Sequence, residues 1–255
     1  MTLTHLTPAD YVTTQWSGGA TTQLAIAPKG AVYADRDFLW RLSSATVELD
    51  ESDFTPLPAY DRVISTLRGD MVLAHNGGER LTLHPYEIHD FSGADDTHSW
   101  GRCTDFNLML RRGQCRGCVT AHFPHGTETL ALHAGETALL FCGEGSVTLH
   151  AGTETLTLAA HESALIEDAP AQLTVEGSAK LMLAQGSEYR AVIFVSAPAA
   201  PGLMVRGVLY TAITRARELL ILVGDDVSLG KMAANDRRTR RYSGLRWRLG
   251  NGGTA

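Results

Sequence analysis

Apolar and polar residues alternate in short runs along most of this chain. The segments FLWRLSSATVEL (38–49), RVISTLRGDMVLAH (62–75), TDFNLMLRR (104–112), TALLFCGEGSVTLH (137–150) and AKLMLAQ (179–185) read as strands, separated by Gly, Asp, Asn and Pro turn signals. Between residues 24 and 183 no long stretch keeps a helical period. Many short strands at this spacing predict a sandwich or barrel. A weak internal echo, in which a strand meets a Gly-acid turn and a second strand follows, occurs at Leu67-Arg68-Gly69-Asp70 and again at Cys142-Gly143-Glu144-Gly145. It predicts two barrels of similar build in tandem, over about 1–112 and 113–184.

Beyond Gln185 the pattern changes. RAVIFV is a buried-strand run, GVLYTAITRAREL has helical spacing, LLILVG is a second strand run and VSLGKMAAND again has helical spacing. Strand, helix, strand, helix predicts a parallel α/β unit over 185–255. Charge marks the same boundary: the net charge of −6 is made of −12 over residues 1–184 and +6 over residues 185–255. All ten histidines lie between His5 and His161. The N-terminal MTLTHLTPADY has no basic stretch followed by an apolar one, and the apolar run 219–223 is far too short to span a bilayer, so a cytoplasmic protein without a membrane partner is expected. The four cysteines are expected as free thiols.

Candidate chemistry comes from strand alternation. Arg41 and Ser43 share one face of their strand, opposite Trp40 and Leu42; Asp105, Asn107 and Met109 share a face opposite Phe106, Leu108 and Leu110. If both faces are covered, a polar set of this kind is expensive to bury without a polar ligand or mutual pairing. An Arg–Asp pair satisfying itself at a barrel rim is the competing arrangement, and these residues alone leave both open. Trp16-Ser17-Gly18-Gly19-Ala20-Thr21-Thr22-Gln23 is a turn-forming glycine pair flanked by an indole, hydroxyls and an amide.

The segments WSGGATTQLAI, DFLWRLSSATVELDESDFTPLPAYDRVISTLRGDMVL, HPYEIHDFSG and TDFNLMLRRG, in this order and spacing, resemble the HutD/Ves family over nearly all of residues 10–184. The resemblance implies a mainly β fold of tandem cupin-like barrels, a bicupin, no established catalysis and no cofactor. It also implies a link to histidine utilisation, and a pocket for a small anionic metabolite such as urocanate, formylglutamate or formate. The matching positions for such a pocket are Trp16, Thr22, Arg41, Ser43, Arg62, Asp105 and Asn107. Arg41 and Arg62 suit carboxylate recognition, because a guanidinium meets a carboxylate through two parallel hydrogen bonds; Ser43 and Asn107 would orient the remainder. A homodimer is compatible with this reading.

Many cupins hold a metal, and a metal-dependent enzyme acting on a small acid is the alternative. The chain offers His75, His84 and His89 for it, without a His-x-His followed closely by Glu. Solvated turn histidines are the expectation. Cys115, Cys118, His122 and His125 contain a C-x-x-C but lack the longer loop that lets zinc ligands converge.

The tail differs in kind. QGSEY (185–189), RAVIFV, LYTAITRARELLILVG and RRYSGLRWRL are similar to the C-terminal end of RecD-like superfamily 1 DNA helicases, with Gln185, Gly186, Glu188, Thr214 and Arg215 as the matched motif positions. In such helicases the first stretch contacts nucleotide or DNA, and the arginine reaches toward the ATP phosphates. No G-x-x-x-x-G-K-[ST] occurs here, so Arg215 has no γ-phosphate to stabilise and ATP hydrolysis is not expected. The basic end, Arg237 to Arg248 with Tyr242 and Trp247 interleaved, suits a phosphate backbone, yet +6 over seventy-odd residues is modest and nucleic acid is not the expected partner. A DNA-binding or helicase-derived accessory role of this fragment is kept as a further alternative, and the join at Ala184-Gln185 reads as a fusion.

Overall fold

The computed structural model describes residues 1–188, 191–196, 205–213 and 219–236. The chain divides into two compact units, 1–188 and 189–255.

The first half of unit 1 holds β1 (Thr2–Leu6), β2 (Val12–Trp16), β3 (Gly19–Ala27), β4 (Trp40–Val47), β5 (Glu51–Asp53) and β6 (Tyr60–Arg68). It continues through β7 (Met71–His75), β8 (Leu81–Leu83), β9 (His89–Ser92), β10 (Thr97–Trp100) and β11 (Cys103–Arg111), with a single 3-10 turn, Tyr33–Asp35, between β3 and β4. The second half holds β12 (Cys115–His122), β13 (His125–Ala131), β14 (Thr137–Ala151), β15 (Glu154–Ala159), β16 (Ser163–Glu167) and β17 (Gln172–Glu188).

These strands form a six-stranded sheet β2-β3-β4-β11-β6-β9, a four-stranded sheet β5-β10-β7-β8, and a seven-stranded sheet running β1-β16-β14-β17-β12, with β13 added on β17 and β15 on β14. The first two sheets face each other: Ile64 and Phe91 of one pack on Met71, Leu73 and Leu83 of the other. The seven-stranded sheet wraps its own core of Leu130, Leu140, Leu149, Leu158, Ile166, Leu173 and Leu181. The architecture is thus mainly β, two cupin-like jelly-roll barrels in tandem. β1 departs from a simple split near residue 112, since it pairs antiparallel with β16 and so belongs to the second sheet.

The second glycine-acid motif also departs from expectation. Gly69 does turn the chain between β6 and β7, at φ 75°. Cys142-Gly143-Glu144-Gly145 makes no turn; it is a bulge inside the continuous strand β14, where the register against β17 shifts. Gly145 at φ 82° lets β14 bend there without leaving its partner.

β11 is buried on both faces. Its even positions Phe106, Leu108 and Leu110 pack with Leu42 and Val63 against Val119, Leu139, Phe141, Met182 and Ala184 of the second barrel. Burying a side chain of this size is worth about 1.5–3 kcal/mol, so this layer fixes the two barrels together. The odd positions are left for the interior of the first barrel.

In unit 2, β18 (Ala191–Ser196) pairs parallel with β19 (Leu219–Gly224), accompanied by α1 (Arg206–Ile213) and α2 (Asp226–Ala234). This is the expected strand-helix-strand-helix order. The N-terminus of α2 is closed by Asp225, whose carboxylate accepts from the Ser228 N–H at 2.7 Å, and Asp226 adds a second acid in the first turn. A phosphate approaching this strand-to-helix junction would meet two carboxylates where a nucleotide-binding loop offers free N–H groups.

Candidate functional site

Strand alternation on three neighbouring strands builds one polar wall. β11 lies between β4 and β6, with Met109 opposite both Arg41 and Arg62, and Asn107 opposite Ser43. These side chains therefore project to one side, into the space between the six-stranded and four-stranded sheets. That space is a cavity of about 710 Å³, lined by Trp16, Arg41, Ser43, Arg62, Asp105 and Asn107 together with apolar groups such as Val47, Phe54, Met71 and Met109. Six of the seven positions singled out in the sequence thus converge. Thr22 does not line the cavity: its neighbours Thr21 and Gln23 do, and on the other face of β3 its hydroxyl meets that of Thr13 on β2 at 2.9 Å.

Arg62 is 5% exposed. Its guanidinium lies 4.6 Å from the Phe54 ring centroid and 5.2 Å from that of Phe91, and its Nε has no hydrogen-bond partner. Burial pulls this arginine down to about 10, against the opposing pull of Tyr33 and Asp105. Arg41 is better held: Nε donates to Gln23 Oε1 at 2.9 Å, Nη1 to Ser43 Oγ at 3.0 Å, and the guanidinium covers the Tyr33 ring at 4.3 Å. Asp105 Oδ1 accepts from the Ala45 N–H at 2.7 Å. Burial pushes the Asp105 carboxyl up to about 6, opposed by that hydrogen bond and by the two arginines.

The self-paired Arg–Asp arrangement considered from sequence is not what forms. Among the described residues the arginine–carboxylate pairs are Arg102–Asp50, Arg111–Asp37, Arg112–Asp61 and Arg116–Glu136, all away from this wall. Two buried guanidiniums face one cavity, and Asp105 on the same wall acts on them through space without a direct ion pair. The wall is rich in donors aimed inward, and its chemistry suits an oxyanion.

Trp16 stands at the cavity mouth, 39% exposed, beside the exposed Val12 and Val32. The glycine after it has a steric reason: a Cβ on Gly18 would collide with the Trp16 ring and come 2.7 Å from Leu49 Cδ1. Several lining residues escaped the sequence reading, Gln23, Tyr33 and Phe54 among them. Gln23 stood in the quoted segment but without a role; Tyr33 and Phe54 come from connections and a short strand end that no alternation marks. Tyr33 also carries Arg36 at 3.9 Å from its ring.

The other candidates disperse. His75 Nε2 and His89 Nε2 meet at 2.9 Å and stack at 5.1 Å, yet neither lines the cavity, and His84 instead pairs with Asp70 at 3.1 Å. The three histidines therefore do not converge. Cys115 and Cys118 lie three apart on one strand and so face opposite sides, while His122 meets Thr120 and Glu128 and His125 meets Ser178. Gln185, Gly186 and Glu188, matched above to a helicase motif, are the end of β17, paired with Cys118, Gly117 and Cys115 of β12. Gln185 Oε1 accepts from the His133 N–H at 2.9 Å. Thr214, Arg215 and the basic stretch from Arg237 lie outside the described residues.

Two facing sheets around a side-chain-lined cavity, joined to a seven-stranded sheet wrapped on its own apolar core, define a cupin-like protein of double-barrel type. The HutD family model matches residues 8–183, and the chain belongs to that family. A UvrD-like helicase C-terminal domain model matches residues 182–223. The protein Ves of Cronobacter sakazakii is 38% identical over 89 residues, covering 33% of this chain and 49% of that relative, so the chain spans about half the length of the curated relative it matches. Among solved structures, a conserved protein of unknown function from Pseudomonas aeruginosa PAO1 is similar at 25% identity and TM-score 0.63, covering 73% of this chain and 99% of that one. HutD from Pseudomonas fluorescens SBW25 is similar at 24% identity and TM-score 0.60, with the same coverage of both chains. The Escherichia coli pirin YhhW shares the fold at 9% identity and TM-score 0.54, covering 72% of this chain and 97% of that one.

Proposed function

We propose that this protein is a cytoplasmic, non-enzymatic binding protein whose first barrel holds a small carboxylate of histidine utilisation, with urocanate, formylglutamate and formate as the candidates. The observation that carries this reading is the pair of buried arginines, Arg41 and Arg62, facing one cavity on which the single buried carboxylate, Asp105, acts through space and not as a direct ion pair. An anion entering there gains two charge-assisted contacts and removes an unpaired buried charge. Ser43, Asn107 and Gln23 offer neutral contacts to the rest of the ligand, and Trp16, Tyr33 and Phe54 offer it apolar surface.

Calorimetric titration of the full chain with the three acids tests this. Binding by at least one, weakened at least tenfold in both Arg41→Ala and Arg62→Ala, is the expected result, since losing a charge-assisted contact costs about 1.5–3 kcal/mol. Heats unchanged by both substitutions, or no binding by any of the three, would overturn the site or the ligand class.

A further inference from the structure

Asp105 is an acid where the proposed ligand is also an acid. It is buried at 5% exposure on the wall that carries Arg41 and Arg62, and among the described residues its carboxylate accepts a hydrogen bond only from the Ala45 N–H. The charged and titratable groups around it come from every side of the cavity. β4 contributes Arg41, β6 contributes Arg62, the 3-10 turn contributes Tyr33, β5 contributes Asp53 and its own strand contributes Cys103. Cys103 adds no charge, because burial and the neighbouring Asp105 push its thiol to about 12. No guanidinium reaches Asp105 within ion-pair distance. The two arginines hold it ionised only through space.

We propose that Asp105 is the proton-accepting residue of this anion site, so that a small carboxylate enters the cavity together with a proton. The inference rests on the anion-binding reading above. In the empty protein the field of two guanidiniums falls on one carboxylate. A ligand carboxylate competes for that same field and adds its own repulsion to a carboxylate that is itself buried, where like charges interact more strongly than in bulk water. The ionised form of Asp105 then loses support and the neutral form gains it. The proton comes from solvent and stays on Asp105; no bond of the ligand is made or broken. A protonated Asp105 is also useful, because its O–H can donate to a ligand oxygen where the carboxylate could only repel it.

Linkage fixes the consequence. Burial, opposed by the Ala45 N–H and the two arginines, already places the Asp105 midpoint at about 6 in the empty protein. If binding raises it further, affinity is flat below that midpoint and falls by up to about tenfold per pH unit above it, until the midpoint of the filled protein is passed.

The test is calorimetry of formate, which stays fully ionised from pH 6 to 8, with the full chain in two buffers of different ionisation heat. Asp105→Asn is the control, since an Asn Oδ1 can still accept from the Ala45 N–H; its thermal melt confirms folding. Wild type is expected to take up roughly half to one proton per formate at pH 7 and to bind up to about tenfold more weakly at pH 8 than at pH 7. Asp105→Asn is expected to take up none and to lose the pH dependence. Formate binding without proton uptake, or equal uptake in the variant, overturns the role of Asp105 while leaving the anion site intact. No binding of formate, urocanate or formylglutamate at any pH overturns the anion site, and this proposal with it.

Discussion

Arg62 buries a charge that no carboxylate among the described residues meets in a direct ion pair, and Arg62→Met asks what that arrangement costs. Holding the guanidinium at about 10 instead of its ordinary 12.5 corresponds to roughly 3 kcal/mol against the charged form, at 1.36 kcal/mol per pH unit. The contacts with Phe54 and Phe91 return about 1–2 kcal/mol of this. A methionine keeps an unbranched apolar chain of similar reach and carries no charge to desolvate. The empty variant is therefore expected to be more stable than wild type by about 1–2 kcal/mol, or several degrees in Tm for a chain of this size. The sign also sets the pH range: a basic group with a lowered midpoint costs stability wherever it is charged in both states, so the gain should be constant from pH 5 to 8. Urea denaturation without added acid measures it. Adding formate should then stabilise wild type and not the variant, narrowing or reversing the difference. An empty Arg62→Met that is equal to or less stable than wild type would refute the reasoning, because the guanidinium would then be balanced without a ligand.

Three further outcomes are expected. A chain ending at Glu188 should melt like unit 1 of the full protein, whereas one ending at Ala184 loses the β12 pairing of Gln185 to Glu188 and the Gln185–His133 bond, about 2–4 kcal/mol; equal denaturation midpoints would contradict this. Burial first, and then His75 beside it, hold His89 below the usual histidine range. The stability of that contact is thus intact above the ordinary midpoint and lost as pH falls through the lowered one, so His89→Gln should flatten the acid loss between pH 7 and 5, and a wild-type slope in the variant would count against it. Gly18→Ala should displace the Trp16 indole from the cavity mouth, shifting its fluorescence and weakening carboxylate binding; an unchanged spectrum and affinity would show that the mouth has room to spare.

Most of the polar wall was legible because a strand has a period of two. Once 104–112 is read as a strand, Asp105, Asn107 and Met109 must share a face, and Arg41 and Ser43 must share another. The sequence could not say that β11 is buried on both faces, since that depends on the second barrel packing Phe141 and Met182 against Phe106 and Leu108. Nor could it say which residues meet across strands; Met109 sits between Arg41 and Arg62 through registers that hydrogen bonding and a bulge at Thr104/Asp105 decide. Tyr33 was invisible because connections carry no period. Thr22 was misplaced for a smaller reason: the WSGG match gave a segment, and only the alternation of β3 chooses between neighbours within it. The glycine-acid echo at 142–145 misled because the same residues suit a turn and a bulge, and only the long partner β17 selects the bulge.

β17 ends in residues that match a helicase model, yet they complete a barrel. Main-chain pairing reads backbone, not side chains, so a foreign segment can extend a strand if it can lie flat against its neighbours. At residue 186 that condition is strict: Gly186 faces Gly117, and a Cβ there would press on the backbone of Arg116 and come 3.0 Å from the Gly117 Cα. The glycine of the matched motif meets that demand. Where two family matches meet inside one strand, the limit on what that strand can carry is found not by asking where a domain ends but by asking which side chains the neighbouring strand has room for.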